Sequence, residues 1–311
     1  MKSWRYLLFI SWLYFLPATG CAQNYWKQTP LYDYGNTLKR KFIITTPGNM
    51  GPNALPVPEI KKGLVGKNLY VKAGGELHFG QGDFTRNVTA AFYYPVVPEK
   101  VAVEIYGIPY EKYTVNERLK RERRILDENC EGHTWGDYYV GTTLQLLKDH
   151  ASIPDMALAF TFKTASGNSL LNARFTDAPA YFFDLSMGRG FTLNHPQFRK
   201  LRLYGTGGFY VWQTNSDQHP QDDAFLYGLG CETEFGNWRL NQVFAGYNGY
   251  LNMRDRPSVF RFQVLRQQTL FNYTLEYQAG LNDFNYHSLK FGVAYFPFRK
   301  PKESLPEIVK R

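Results

Sequence analysis

The chain alternates apolar and polar residues over many short stretches, most clearly in its last third. In residues 273–283 every second position is apolar: Tyr273, Leu275, Tyr277, Ala279 and Leu281. Successive side chains of a β-strand point to opposite faces, so this stretch predicts a strand with one apolar and one polar face. Repeated along a chain, the pattern predicts a transmembrane antiparallel β-barrel with apolar side chains toward lipid.

The same alternation, bounded by turn residues, predicts about twelve strands. They are 68–79, 85–96, 100–113, 135–148, 156–166, 180–192, 201–214, 223–236, 238–252, 258–268, 272–282 and 287–298. Most have about the 9–11 residues that a tilted strand needs to cross a bilayer. The stretches 201–214 and 238–252 alternate poorly, so ten or fourteen strands are the alternatives.

The connections between these strands fit a bacterial barrel, in which periplasmic turns are short and external loops are longer. The second, fourth, sixth, eighth and tenth connections are short, whereas 114–134, 167–179 and 215–222 are longer. We therefore expect both ends of the barrel domain, 68–298, to lie in the periplasm. Residues 289–298 resemble the closing strand that the barrel insertion machinery recognises, and 299–311 would form a periplasmic tail.

The N-terminus predicts export from the cytoplasm. Residues 1–22 begin with Lys2 and Arg5, continue with an apolar stretch and end in small residues, which is typical of a signal peptide. Lipoprotein processing with acylation at Cys21 and ordinary cleavage after Ala22 both fit. The following residues, 23–67, lack alternation and contain several prolines, so they predict a periplasmic lead-in or a plug folded into the lumen.

The composition of the chain is also typical of a membrane barrel, and its net charge is positive. Of the 311 residues 17% are aromatic, while the mean hydropathy of −0.41 is low, which is typical of a barrel with a polar interior. The formal net charge is +9. Part of this excess lies in the predicted external loop 114–134, on Arg118, Lys120, Arg121, Arg123 and Arg124. Such a loop could contact anionic lipopolysaccharide, whereas nucleic acid is not expected as a partner of a secreted barrel.

Charged residues on the polar faces of the strands form the candidate site. The predicted lumen-lining residues are Glu76, Asp137, Lys163, Arg202, Arg261 and Glu276. Charges are costly on a lipid face, so these side chains should point inward. They could line a polar conduit for small solutes, or they could close a packed lumen with salt bridges.

Catalytic motifs are weak in this sequence. A rim-located lipid hydrolase would need a nucleophile and a base within hydrogen-bond reach, and His287 with Ser288 is the best nominal pair. Adjacent strand residues point to opposite faces, so these two should not meet. No cofactor, metal or catalytic residue is expected, and the chain is predicted not to be an enzyme.

Residues 136–190 resemble a broad group of Gram-negative outer-membrane barrels that includes the transporters of the phenol-degradation meta-pathway. The similar elements are Gly136-Asp137, Pro154-Asp155 with Ala157-Leu158-Ala159, and the run from Lys163 to Asn168. The resemblance implies an outer-membrane channel or transporter for small, hydrophobic compounds. The alternatives are a closed structural or adhesive barrel with a basic external loop, and the rim hydrolase.

Overall fold

The computed structural model describes residues 40–193, 195, 198 and 200–299. Its strands are β1 (Tyr70–Gly80), β2 (Asp83–Val97), β3 (Val101–Val115), β4 (Glu131–Thr134), β5 (Tyr138–Leu147), β6 (Asp155–Lys163), β7 (Ala180–Thr192), β8 (Lys200–Gln213), β9 (Gln221–Phe235), β10 (Trp238–Asn248), β11 (Ser258–Gln267), β12 (Phe271–Asn282) and β13 (Tyr286–Tyr295). The predicted signal peptide, Cys21, residues 23–39 and the tail beyond Arg299 lie outside the described residues.

The strands form one closed antiparallel barrel. Consecutive strands pair with each other, and β1 pairs with β13, so the sheet closes on itself. The short strand β4 and the strand β5 pair with different parts of β3 and make up one barrel strand that is interrupted at residues 135–137. The closed barrel therefore has twelve strands, and the predicted all-β fold is confirmed.

The two ends of the barrel differ in their connections. One end, here called the loop end, carries the connections 81–82, 116–130, 164–179, 214–220, 249–257 and 283–285. The other, here called the turn end, carries 98–100, 148–154, 193–199, 236–237 and 268–270. The longest connections are thus at the loop end, as the sequence pattern predicts for the external side.

The alternation predicted from the sequence is present in the strands. On β1, Val71, Leu77 and Phe79 are exposed on the outside, whereas Glu76 and His78 point inward. The pairing of β1 with β13 runs without a register shift, so each inward residue of one strand faces an inward residue of the other. The outside is apolar, as the exposed leucine and phenylalanine residues of β6 illustrate: Leu158, Phe160 and Phe162.

The connection 116–130 contains a short helix, α1 (Glu117–Glu122), which begins at Asn116, whose side chain accepts a hydrogen bond from Leu119 N. Leu119 and Ile125 are buried in an apolar cluster with residues of β3 and of the segment that precedes β1. This connection therefore packs over the loop end through Leu119 and Ile125. No helix within the described ranges is both long enough and apolar enough to cross a bilayer.

Residues 43–66, here called the lumen segment, precede β1 and lie among the inward-facing side chains of the strands. Of the two thiols in the described part of the chain, Cys130 lies in a loop-end connection and Cys231 lies in β9, and both are free.

Candidate functional site

The lumen segment crosses the barrel from the loop end to the turn end. At the loop end Thr46 Oγ1 donates to Met253 O at 2.8 Å. At the turn end Val65 N donates to Gln145 Oε1 at 2.7 Å, and Gly66 N donates to Tyr93 OH at 2.8 Å. The lumen segment has therefore passed through the barrel before β1, and β1 begins at the turn end.

An aromatic wall holds the first half of the lumen segment. Trp212 Nε1 donates to Thr45 O at 3.1 Å, and Tyr247 OH donates to Leu55 O at 2.7 Å. Tyr210 packs against both of these rings, with its centroid 5.4 Å from Trp212 and 5.0 Å from Tyr247. Rings that also offer a polar group can bury apolar area and still satisfy backbone carbonyls. This part of the lumen is closed to water.

A buried ion network lies opposite this wall at the loop end. Arg174, from the connection 164–179, places its Nε 2.7 Å from Glu111 and its Nη1 2.8 Å from Asp83. Asn53 of the lumen segment donates to the same Glu111 at 2.7 Å. Burial opposes the charge of Arg174, but Asp83 and Glu111 together raise its pKa above the ordinary value. The network ties a loop, two strands and the lumen segment together.

Water reaches the lumen beside the second half of the segment. Arg261 on β11 donates to Val57 O at 2.5 Å and to Pro58 O at 3.0 Å, which fixes the chain just before Glu59. The Glu59 side chain lies 3.8 Å from Arg261, inside the barrel, yet it is 63% exposed. A glutamate that is this accessible between buried neighbours faces a water-accessible space in the lumen.

Ion pairs hold the remainder of the lumen segment. Lys61 Nζ lies 2.9 Å from Glu104, and these two side chains are 28% and 18% exposed. Lys62 contacts Glu232, and its carbonyl accepts from Arg202 Nε at 3.0 Å. The first half of the lumen segment is held by buried groups, whereas this second half is held by charged groups that are in contact with water.

Gly63 allows the close approach at the turn end. Its φ is +74°, and a Cβ there would lie 2.6 Å from Asp155 O and 2.8 Å from Gly188 N. Only glycine fits this conformation and this spacing. The lumen segment can therefore pass directly over the backbone of β6 and β7 before it turns into β1.

All six predicted lumen-lining residues have their side chains inside the barrel, in two environments. Asp137 and Lys163 form a pair at 2.7 Å that is fully buried. Glu276 lies 3.2 Å from Lys290, beside the water-accessible space. The other three, Glu76, Arg202 and Arg261, contact neighbouring inward residues or the lumen segment. A role of these groups in transport remains a prediction.

The basic residues of the predicted external loop differ in exposure. Arg118, Arg121 and Arg124 are exposed, and Lys120 is half-buried. Arg123 is buried instead, because its Nη1 lies 2.7 Å from Asp83, and it therefore cannot act as an exposed contact residue. This contact could not be predicted from the sequence, because Asp83 is 40 positions away and belongs to no motif.

The nominal catalytic pair does not come together. His287 points outward and its Nδ1 lies 2.8 Å from Tyr277 OH, whereas Ser288 points inward. Ser288 Oγ instead lies 2.7 Å from Nδ1 of His78 on the adjacent strand, and the other ring nitrogen lies 3.0 Å from Asn87. Both His78 and Ser288 are almost fully buried, so a substrate has no access to this hydroxyl.

Comparisons with known proteins give similarity at the level of the barrel. No family model matches the chain, and no curated protein sequence matches it. An outer membrane channel from Pseudomonas putida F1 has 11% identity and a TM-score of 0.47, with 78% of this chain and 97% of that chain covered. The KdgM porin has 7% identity and a TM-score of 0.42, with 72% and 98% covered.

A third solved structure, the CymD monoaromatic hydrocarbon channel, has 9% identity and a TM-score of 0.36 over 76% of this chain and 90% of that chain. Similarity this low carries no argument about function. The barrel class stands on the strand pairing described above, and the resemblance to the phenol-degradation group is not confirmed.

Proposed function

We propose that the protein is an outer-membrane channel of a Gram-negative bacterium that passes small polar solutes by diffusion through a lumen narrowed by its own residues 43–66. The observation that carries this proposal is the water-accessible space beside Glu59. The identity of the solute is left open by the mixture of charges around this space, which favours neither cations nor anions strongly.

The outer surface supports the membrane location. Its exposed residues include rows of phenylalanine, tyrosine and leucine, such as Phe160 and Phe162 on β6 and Phe183 on β7. An apolar outer face with aromatic residues is what a transmembrane barrel presents to lipid. Export by the predicted signal peptide and recognition of β13 by the barrel insertion machinery belong to the same proposal.

The water-accessible space is lined by charged and small inward residues of the closing strands. Gly74 on β1 and Gly292 on β13 are paired directly in the sheet, and the side chains of Thr89, Thr274 and Lys72 lie close over them. Lys290 is 20% exposed and Glu276 is 6% exposed next to them. The polar inward residues of β12, β13 and β1 therefore form the part of the wall that borders the proposed path at the level of Glu59.

Planar-bilayer conductance tests the channel. Glu59→Trp places a large ring in the water-accessible space, so conductance should fall several-fold. Glu128→Trp makes the same chemical change on an exposed loop residue and is the matched control, for which conductance should not change. Silence of the unmodified protein across salts and voltages, or equal conductance of the two variants, would refute the proposal.

A closed barrel that serves as an adhesive platform is the second candidate function. The observation that favours it is the dry packing of residues 43–58 against the aromatic wall and the buried ion network. Its contact surface would be the exposed arginines Arg118, Arg121 and Arg124, which could bind anionic lipopolysaccharide. Binding that falls as salt rises and that is lost in the triple alanine variant would support it, together with absence of conductance.

A further inference from the structure

A cavity opens at the loop end of the lumen, separate from the water-accessible space beside Glu59. Its volume is about 220 Å³, and five parts of the chain enclose it: the lumen segment, the β1–β2 turn, α1 with the residue after it, the connection 249–257 and the connection 283–285. Its charged lining residues are Asp83, Arg118, Glu122, Arg123 and Arg254. This volume exceeds that of a single ion with a water or two, so it suits a small organic molecule.

The lining carries three arginines and two carboxylates, but one carboxylate is already satisfied. Asp83 Oδ2 accepts from Arg123 at 2.7 Å, from Arg174 at 2.8 Å and from Tyr286 OH at 2.6 Å. Its charge is balanced within the buried network. A ligand in the cavity would therefore meet Arg123 as part of a fixed, neutral group and would not be repelled by Asp83.

The other two arginines are free to bind a ligand. Arg118 lies 3.8 Å from Glu122, which is a loose contact between two exposed side chains. Arg254 has no carboxylate within 4 Å among residues 40–193 and 200–299, and its own carbonyl is bound by Gly48 N at 2.9 Å, which places this residue at the wall. The cavity thus has one more cation than its carboxylates balance.

The rest of the lining offers hydrogen-bond donors and acceptors. Gln81 and Asn285 contribute amide side chains, which can bind hydroxyl groups as donor and as acceptor. Guanidinium groups bind carboxylate with paired, charge-assisted hydrogen bonds. Leu119 contributes a large aliphatic side chain to the wall.

We propose that this cavity binds a small, hydroxylated organic monoanion, whose carboxylate lies between Arg254 and Arg118 and whose hydroxyl groups contact Gln81 and Asn285. The site lies inside the mouth of the barrel, so its ligand is a free solute and not the headgroup of a lipid outside the barrel wall. The proposal concerns binding alone and does not depend on whether the barrel conducts.

Isothermal titration calorimetry of the full chain, refolded in detergent, tests the site with gluconate. Sorbitol, which differs chiefly by lacking the carboxylate, is the matched ligand control. Arg254→Gln should weaken gluconate binding roughly tenfold or more, because it removes a charge-assisted pair of hydrogen bonds to the carboxylate. Glu122→Gln should tighten binding, since it removes a negative charge from the wall.

Arg121→Gln is the control variant, because Arg121 is exposed on the same helix and does not line the cavity. Its affinity for gluconate should equal that of the unmodified protein. The proposal is overturned if gluconate does not bind, if sorbitol binds equally well, or if the Arg254 and Arg121 variants behave alike. Binding of lipopolysaccharide vesicles that requires Arg254, without gluconate binding, would assign the site to a lipid headgroup and also overturn it.

Discussion

The two halves of the lumen segment are held in different ways. Residues 43–58 are packed without water against aromatic rings and are tied to a buried ion network through Asn53. Residues 59–66 are held chiefly by ion pairs and backbone hydrogen bonds in contact with water, and Glu59 faces the open space. The first half therefore acts as a fixed part of the barrel core, and the second half lines the proposed path.

This difference matters because burial changes what a charged contact contributes. A buried ion pair that loses one partner leaves an uncompensated charge, and this costs about 3–5 kcal/mol. A pair in contact with water contributes at most about 1 kcal/mol and is screened by salt. Removal of one charged partner should therefore lower the free energy of unfolding more in the buried half, 43–58, than in the half in contact with water, 59–66.

The largest effect is expected for Arg174→Ala. This change leaves Asp83 and Glu111 with one cation fewer in a dry site, and the free energy of unfolding should fall by about 3–5 kcal/mol. Urea unfolding in lipid vesicles, followed by tryptophan fluorescence, measures it. Arg124→Ala, at an exposed position, is the control and should unfold like the unmodified protein.

A smaller loss is expected for Tyr247→Phe, which removes the donor to Leu55 O and leaves that buried carbonyl without a partner. The free energy of unfolding should fall by about 1–3 kcal/mol. Tyr250→Phe removes a similar hydroxyl, 2.9 Å from Gln221 O, at an exposed position and should have little effect. Equal losses in both variants would mean that the lumen segment is not held by this wall.

The Lys61–Glu104 pair should contribute less still. A double-mutant cycle with Lys61→Ala and Glu104→Ala should give a coupling free energy below about 1 kcal/mol that decreases as salt rises. A larger coupling that does not depend on salt would show that this half of the segment is as dry as the first.

At one buried site, removal of a charge should not lower the free energy of unfolding. Asp222 and Asp255 lie together at the loop end, and each has one carboxylate oxygen without a partner in the described structure. Asp222→Asn removes the repulsion and supplies an amide donor toward Asp255, so unfolding at pH 8 should need the same or up to about 1 kcal/mol more free energy. A destabilisation comparable to Arg174→Ala would contradict this.

The strands could be predicted from the sequence because their signal is local. The alternation on residues such as Leu275 and Tyr277 is set by the two faces of one strand, and it placed twelve barrel strands close to their observed bounds. The side on which Glu76 and His78 lie followed from the same rule.

The contacts inside the lumen could not be predicted in this way. Residues 43–66 have no period, since their neighbours are supplied by many different strands and loops, among them β2, β5, β8 and β10. Arg174 lies in a loop that alternation does not describe, and its partners Asp83 and Glu111 are distant in sequence. The His78–Ser288 contact required knowledge that the first and last strands are paired.

The central claim is that water reaches Glu59 inside the barrel while its neighbours are packed, and thiol labelling tests it directly. In a background with the native cysteines replaced by serine, Glu59→Cys should react rapidly with a small, positively charged methanethiosulfonate reagent, and conductance should fall. Val57→Cys, two positions earlier and buried, should stay unmodified in the folded protein. Equal reaction at both positions, or none at position 59, would contradict the account.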